Sequence, residues 1–178
     1  MCKKRLGEWA LFTFYYDTGT TLSEALAVTK SDLHKNIVSI VDLLEDKNTH
    51  KRLKNRFRRR KITLAPKTMI LIEPLLSTEG QYLFGGIEPL SPRTVPRKLQ
   101  YYMNIANSRL AARSLPELPR ITIHGFRHSH ATNLINNGVN IVSVSKRLGH
   151  SNIQKTLTTY THLLDKNESE LIDILEEL

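Results

Sequence analysis

The sequence predicts a mainly α-helical domain with one small antiparallel β-sheet, an α+β fold. Helix-type segments with capping and stop signals run along most of the chain, and two β-branched stretches flank a highly charged loop. A chain of 178 residues with 40% hydrophobic content can bury one sizeable core. We therefore expect a single domain over residues 1–178.

The first part of the chain predicts two helices followed by the sheet. Residues 5–16 are rich in apolar and aromatic side chains and fit a buried helix, and residues 22–28 fit a second, shorter one. The β-branched stretches at 36–44 and 61–64 fit two strands. Since consecutive antiparallel strands can join through a loop, we expect these two strands to pair.

The rest of the chain predicts helices separated by turns, with a short extended piece at 82–84. Pro66 suits the first position of a helix. Asn137-Gly138 and Gly149 are stop signals, and Ser151 can cap the helix that follows it. The predicted helices cover residues 66–76, 91–112, 125–137, 141–148, 152–161 and 167–177.

The charge distribution points to a polyanionic partner. The chain has 26 basic and 17 acidic side chains, but six acids and one base lie in the tail 165–178. Residues 1–164 therefore hold 25 bases and 11 acids, a net charge of +14. A protein this basic gains affinity for nucleic acid because each neutralised phosphate releases counterions.

Two observations indicate the compartment. No apolar run approaches the ~20 residues needed to cross a bilayer. The single cysteine, Cys2, cannot form an internal disulfide. We expect a cytoplasmic protein, encoded by a bacterium or a phage, without membrane association.

Positive charge is densest in the loop before the second predicted strand. Eight of the eleven residues at 51–61 are basic, so the loop is expected to grip the DNA backbone. The predicted DNA-binding residues are Lys51, Arg52, Arg56, Arg58, Arg59, Arg60 and Lys61.

Three short motifs near the C-terminus carry groups that could act on a phosphate. His124 and Arg127 lie three residues apart at the start of a predicted helix, so both can reach one anion. The guanidinium is a planar fork of donors that matches phosphate oxygens. His150 follows in a tight turn, and Tyr160 lies ten residues further on. A phenol with a pKa near 10 needs such a cationic, hydrogen-bonding environment to act as a nucleophile.

Residues 124–163 resemble the C-terminal signature of tyrosine recombinases, the family of phage and transposon integrases. The His-x-x-Arg helix, the Leu-Gly-His turn and the later tyrosine agree in order, spacing and flanking residues over about 40 positions. The resemblance implies the catalytic-domain fold of that family and site-specific recombination or integration of duplex DNA, without a metal or other cofactor.

The resemblance also implies a role for each matched residue. Tyr160 would attack the phosphate and form a 3′-phosphotyrosine, and Arg127 and His150 would hold the phosphate oxygens. His124 would accept the tyrosine proton or position the phenol. Lys54, on the family's β-hairpin, would protonate the leaving oxygen, with Lys51 as the alternative because hairpin loops vary in length.

The chain departs from the family pattern in an early helix. The family has Thr-Gly-x-Arg-x-x-Glu, and residues 18–24 match this pattern except that Thr21 stands where the arginine is expected. Glu24 is retained and would be a supporting residue. No arginine close in sequence takes the missing place, so a phosphate-binding position is lost.

These findings leave several readings open. The substitution at Thr21 allows an impaired or inactive DNA-binding remnant of an integrase. A zinc site at His124 and His128 would need a third ligand that no nearby motif supplies. The acidic tail helix at 165–178 could dock on a neighbouring protomer, in a tetramer on DNA, or pack on its own domain. The family's N-terminal core-binding domain has no counterpart in these residues.

Overall fold

A computed structural model of the protein describes residues 3–45, 50–53 and 58–164. It confirms the predicted mainly helical fold with antiparallel β-structure. The helices are α1 (Lys3–Thr18), α2 (Leu22–Ala27), α3 (Pro66–Leu76), α4 (Thr94–Ala111), α5 (Ile123–Asn136), α6 (Ile141–Leu148) and α7 (Gln154–Leu164). The strands are β1 (Leu33–His34), β2 (Ile37–Ile40), β3 (Asp42–Leu44), β4 (His50–Arg52) and β5 (Arg60–Thr63), and a short 3-10 helix spans Lys30–Asp32.

The two predicted strands pair, but the sheet is divided. β2 and β5 are antiparallel, with Val38 opposite Ile62, as expected. The stretch predicted as one strand at 36–44 is interrupted at Val41, and its second part, β3, pairs with β4 in a separate two-stranded sheet. The single-sheet prediction was therefore wrong. The sequence of β4 is entirely basic and polar, so its strand character comes from the ladder with β3 rather than from its own alternation.

The larger hydrophobic core lies in the N-terminal two-thirds of the chain. α1 buries positions 10, 11, 14 and 15, the spacing of one helical face, with Phe14 and Tyr15 fully enclosed. This face packs against α3, and the same cluster includes the buried side of β2 and β5. We call this cluster the main core.

A smaller core joins the last three described helices. Its buried members are Ala131 and Ile135 of α5, Val144 and Leu148 of α6, and Tyr160 of α7. α5 also packs against α1, so it connects this small core to the main core. The site residues of the motifs lie beside this junction.

The helix ends of this C-terminal part are set by local chemistry. Thr122 and Asn140 cap α5 and α6 through side-chain oxygens that accept backbone N–H groups. Gly138 and Gly149 adopt φ of +76° and +74°, which confirms both stop signals. The cap predicted at Ser151 was wrong: Asn152 accepts the N–H of Gln154 at 2.8 Å, so α7 begins at residue 154.

The structure changes two other predictions, and a third concerns residues that the structure does not describe. α4 begins at Thr94 rather than at residue 91, and Tyr82 forms isolated bridges to Thr29 and Gly86 rather than a strand. The tail helix predicted at 167–177 lies outside the described residues. Among the described helices, none is long and apolar enough to cross a membrane.

Candidate active site

The three C-terminal motifs meet around one cavity of about 510 Å³. It is bounded by the first turns of α5, the turn after α6, and one face of α7. Its lining residues are His124, Arg127, His128, His150, Asn152, Gln154, Lys155, Thr158, Thr159 and Tyr160. Four of the five predicted catalytic residues therefore share one polar cavity.

A second, larger cleft of about 590 Å³ lies between α1 and α4. Apolar and aromatic side chains such as Trp9, Phe12 and Met103 form most of its wall, and none of the predicted site residues that the structure describes lines it. The size of a cleft alone does not identify reactive chemistry, so the smaller polar cavity is the candidate site.

Tyr160 is buried and reaches the cavity with its hydroxyl. The side chain is 4% exposed, and its oxygen lies 3.0 Å from Nδ1 of His128. Burial raises the pKa of the phenol, while the positive charge of Arg127 opposes that rise. The phenol is therefore protonated at neutral pH and needs a base before it can attack.

The histidine that contacts the Tyr160 hydroxyl is His128, which is not one of the matched motif residues. His124 was predicted to accept the proton of Tyr160, but His128 makes the hydrogen bond, and His124 contacts His128 edge to face at 4.6 Å between ring centroids. Desolvation, followed by the charges of His124 and Arg127, lowers the pKa of His128. A neutral His128 can accept a proton. Its spacing of four residues from His124, on the same helical face, was the available signal.

Arg127 is held in place by the backbone. Its side chain is buried and donates from Nη1 to the carbonyl of Gly19 at 2.6 Å and from Nη2 to the carbonyl of Leu148 at 2.8 Å. Desolvation lowers its pKa to about 10, so it stays charged at neutral pH. These two bonds orient the guanidinium and connect α5 to the turns after α1 and α6.

His150 is fixed by a buried hydroxyl on α7. Its Nδ1 lies 2.7 Å from Oγ1 of Thr156. Desolvation, together with the charges of Arg127 and Lys155, lowers the pKa of His150 to about 4. The ring is therefore neutral at neutral pH, with Nε2 as the nitrogen not engaged by Thr156.

Thr21 has a structural role at the position where the family arginine is expected. Its hydroxyl accepts the N–H of Glu24 at 3.4 Å, and Glu24 Oε2 accepts the N–H of Thr21 at 3.0 Å. This reciprocal pair is a capping box at the start of α2.

Glu24 supports the site through ion pairs as well as through this cap. Its carboxylate is buried and pairs with Arg58 at 3.1 Å and with Arg60 at 3.0 Å. Burial alone would raise the pKa of this carboxyl, but Arg60, the Thr21 N–H and Arg127 together lower it below its usual value.

The basic residues at 51–61, the segment that corresponds to the family's β-hairpin and is called the hairpin, divide into exposed and buried groups. Lys51, Arg52, Arg59 and Lys61 are exposed, and Arg58 is half-buried, as DNA contact would require. Arg60 corrects the prediction, because only 7% of its side chain is exposed and it pairs with Glu24. Lys54 and Arg56 lie outside the described residues.

A second polar network, beside the cavity, was not anticipated from the sequence. Arg147 of α6 donates to Nε2 of His130 at 3.1 Å and to the carbonyl of Asp17 at 2.8 Å. His130 is buried, and desolvation followed by the charge of Arg147 lowers its pKa to about 4. These residues join α5 and α6 to the end of α1.

The fold is that of tyrosine recombinase catalytic domains, as comparison with solved structures shows. One of these is the integrase of the Tn1549 transposon in complex with transposon right end DNA. It superposes with a TM-score of 0.80 and 21% identity over 95% of this chain and 59% of that chain. A model of the phage integrase family matches residues 3–167, so the chain belongs to the phage integrase family.

Curated relatives agree with this membership. Transposase A of transposon Tn554 from Staphylococcus aureus is 52% identical over 46 residues, which are 26% of this chain and 13% of the relative. A tyrosine recombinase of Pseudothermotoga lettingae is 33% identical over 112 residues, which are 63% of this chain and 36% of the relative. The chain thus spans well under two-thirds of the length of these relatives.

Proposed function

We propose that this chain is the catalytic domain of a site-specific tyrosine recombinase that cuts and rejoins duplex DNA through Tyr160. The observation that carries the proposal is the contact of the buried Tyr160 hydroxyl with His128, 3.0 Å away, in a cavity that also holds Arg127 and His150. Relatives named as recombinases, integrases and transposases, and neighbours solved with DNA, support the same reaction.

The scissile phosphate occupies the cavity between Arg127 and the two histidines of the family motif. Arg127 presents its oriented fork to the non-bridging oxygens and stabilises the negative charge that grows on them. In the tautomer that this mechanism requires, Nδ1 of His150 accepts the Thr156 hydroxyl proton, and Nε2 carries the ring proton that is donated to the phosphate. His124, exposed at the cavity rim, adds a further hydrogen bond to the phosphate.

Cleavage transfers one proton at the nucleophile and one at the leaving group. As the Tyr160 oxygen forms a bond to phosphorus, its proton passes to His128, which is neutral at the working pH. The bond from phosphorus to the 5′ oxygen breaks, and Lys54 donates a proton to that oxygen to form a 5′-hydroxyl. The phosphotyrosine keeps the energy of the ester, so a second 5′-hydroxyl can reverse the step and rejoin the DNA.

The DNA backbone is gripped by the exposed hairpin cations. Lys51 and Arg52 lie on β4, Arg59 lies just before β5, and Lys61 lies on β5; each is exposed and can neutralise a phosphate. Assembly as a homo-oligomer on DNA, a tetramer in this proposal, and a cytoplasmic location follow from the same reaction.

A second candidate is a DNA-binding domain that does not cleave. The observation that favours it is Thr21, which caps α2 and presents no guanidinium to the phosphate. This candidate predicts tight, salt-sensitive DNA binding without a covalent product.

One experiment separates the two candidates. The protein, in excess, is mixed with a labelled library of nicked duplexes whose 30 central base pairs are randomised, and products are run on a denaturing gel. A recombinase leaves a covalent protein–DNA band that is absent for Tyr160→Phe. Binding without such a band, for the original chain and for Thr21→Arg, supports the non-cleaving candidate. A band that persists in Tyr160→Phe refutes Tyr160 as the nucleophile.

A further inference from the structure

A surplus of positive charge surrounds the carboxylate of Glu24. Arg58 and Arg60 contact it directly, and Arg127 interacts with it at longer range. Among the residues that the structure describes, one carboxylate faces three guanidinium groups, which leaves two positive charges uncompensated in a partly buried region. Such a surplus is costly without an anion, so the cluster is built to receive one.

Two of these guanidinium groups lie beside position 21, although they come from the hairpin. Glu24 Oε2 accepts the backbone N–H of Thr21 and also Nη2 of Arg60, each at 3.0 Å. Nη2 of Arg58 lies 3.1 Å from the other oxygen of the same carboxylate. Both arginines therefore contact the same carboxylate that accepts the backbone N–H of Thr21, the position from which the family arginine side chain would extend.

The same two residues lie against the turn that forms the cavity wall. A Cβ at Gly149 would lie 2.8 Å from Nη1 of Arg60 and 3.3 Å from Cα of Arg58. Gly149 stands between Leu148, whose carbonyl accepts from Arg127, and His150, which lines the cavity. The hairpin thus places its arginines next to the phosphate-binding groups.

Arg58 and Arg60 differ in what they can still do. Arg60 has 7% of its side chain exposed and donates to Glu24 and to the carbonyls of Arg147 and Arg58. It is a positioning residue. Arg58 has 38% of its side chain exposed, so its guanidinium can turn toward a phosphate in the cavity.

We propose that Arg58 supplies the second phosphate-binding guanidinium of the site, in place of the arginine that position 21 lacks. Glu24 and Arg60 hold it at the cavity edge. This inference rests on the proposed function, since it assigns a residue to that reaction. It also predicts that the chain is active despite Thr21.

The test is a double-mutant cycle at positions 21 and 58. The measured quantity is the initial rate of covalent adduct formation on a duplex selected from the randomised library. Arg58→Ala should slow this rate about 10²-fold, the effect of removing one charge-stabilising donor. In a Thr21→Arg background the same substitution should change the rate by less than about threefold, because either arginine then serves the phosphate. Arg58→Lys, which keeps the charge but not the planar guanidinium, should give a rate between those of the original chain and Arg58→Ala.

Three controls separate this role from a structural one. Thr21→Ala combined with Arg58→Ala should not restore the rate, since it removes the cap without adding a guanidinium. Arg113→Ala removes one exposed charge at the end of α4 and should leave the rate unchanged. Melting temperature, measured in a Tyr160→Phe background, should change little with Arg58→Ala, and duplex affinity should fall by no more than the loss of one phosphate contact.

Each outcome decides the inference. An unchanged rate in Arg58→Ala, or an equal loss with Thr21 and with Thr21→Arg, overturns it and leaves the proposed function intact. If the original chain forms no adduct while Thr21→Arg does, Arg58 does not replace the missing arginine, but Tyr160 still acts as nucleophile. If neither forms an adduct that depends on Tyr160, the proposed function fails, and the inference fails with it.

Discussion

The two hydrophobic cores of this domain contrast with the boundary between them. The main core, between α1, α3 and the β2–β5 sheet, and the small core, between α5, α6 and α7, are held by apolar side chains. Where the two meet, Arg127, Arg60 and Arg147 donate to backbone carbonyls of the opposite region. At the site, the two regions are therefore held together by polar and charged contacts. The same cations stabilise the fold and are available to bind the phosphate.

The largest expected effect comes from Arg127, which joins the two regions of the fold and also binds the phosphate in the proposed reaction. Arg127→Ala leaves the carbonyls of Gly19 and Leu148 without their donor, which should cost about 2–4 kcal/mol of unfolding free energy. It should also slow adduct formation by at least about 10²- to 10³-fold. Urea unfolding and the denaturing-gel assay measure the two losses.

Arg113→Ala, which removes an exposed cation away from this boundary, is the matched control and should change neither quantity. An unfolding free energy that is unaffected by Arg127→Ala would show that apolar packing alone joins the two cores.

The next effect isolates the buried acid of the boundary. Glu24→Gln keeps the shape of the side chain but leaves Arg58 and Arg60 without a counter-charge, which should destabilise the fold by about 3 kcal/mol at neutral pH. The folded-state pKa of Glu24 is lowered, so its contribution is present above the ordinary value of 4.5 and is lost as pH falls through the lowered value.

The difference between the original chain and Glu24→Gln should therefore shrink toward zero in strong acid. Urea unfolding at pH 7 and at pH 3 gives this comparison. An equal difference at the two pH values would mean that packing, rather than charge, explains the loss.

A smaller effect concerns the histidine of the second network. The pKa of His130 is about 4 in the fold against 6.5 when unperturbed, so the unfolded chain binds more protons between these values. Stability should then rise with pH across this window and be fully present above it. Protonation of Nε2 would also remove the acceptor that Arg147 uses.

His130→Gln keeps an acceptor oxygen but cannot titrate in this range. We expect the loss of melting temperature between pH 6.5 and pH 4 to be smaller in this variant by a few degrees. Part of the slope should remain, because the pKa of His150 is lowered in the same direction. An identical slope in the two proteins would contradict a role for His130.

The smallest effect on stability is expected on the exposed hairpin. Lys51 pairs with Glu45, and both side chains are nearly half exposed, so Lys51→Ala should cost about 0–1 kcal/mol. Its effect should appear in DNA binding, where loss of one phosphate contact lowers the salt dependence of affinity by about one unit of slope.

Glu45→Gln breaks the same ion pair without removing a cation and should not weaken DNA binding. If Lys51→Ala instead abolished adduct formation at unchanged affinity, Lys51 rather than Lys54 would be the proton donor to the leaving group.

Much of the C-terminal half could be predicted from the sequence because its order is local. Capping residues and glycine stops lie within a few positions of the helix ends that they define, as at Thr122, Gly138 and Gly149. The motif residues Arg127, His150 and Tyr160 lie within 34 positions of one another, so the short helices that join them bring them to one cavity.

The hairpin was harder to predict because one run of charged residues has two structural environments. Alternation along the sequence could not show that Arg60 turns inward to Glu24 while Lys61 faces solvent, since both are basic residues in a basic stretch. The partner that distinguishes them is 36 positions away along the chain.

The sequence by itself determined the helical character of this protein, its basic surface and the set of groups that can act on a phosphate, since these depend on residue type and short spacing. Tertiary structure alone decided that His128 rather than His124 touches the Tyr160 hydroxyl, and that hairpin arginines lie beside Thr21. The physical reason is distance: a hydrogen bond or an ion pair between remote positions exists only after packing has joined their elements, and residue identity does not specify which of several equivalent groups will be joined.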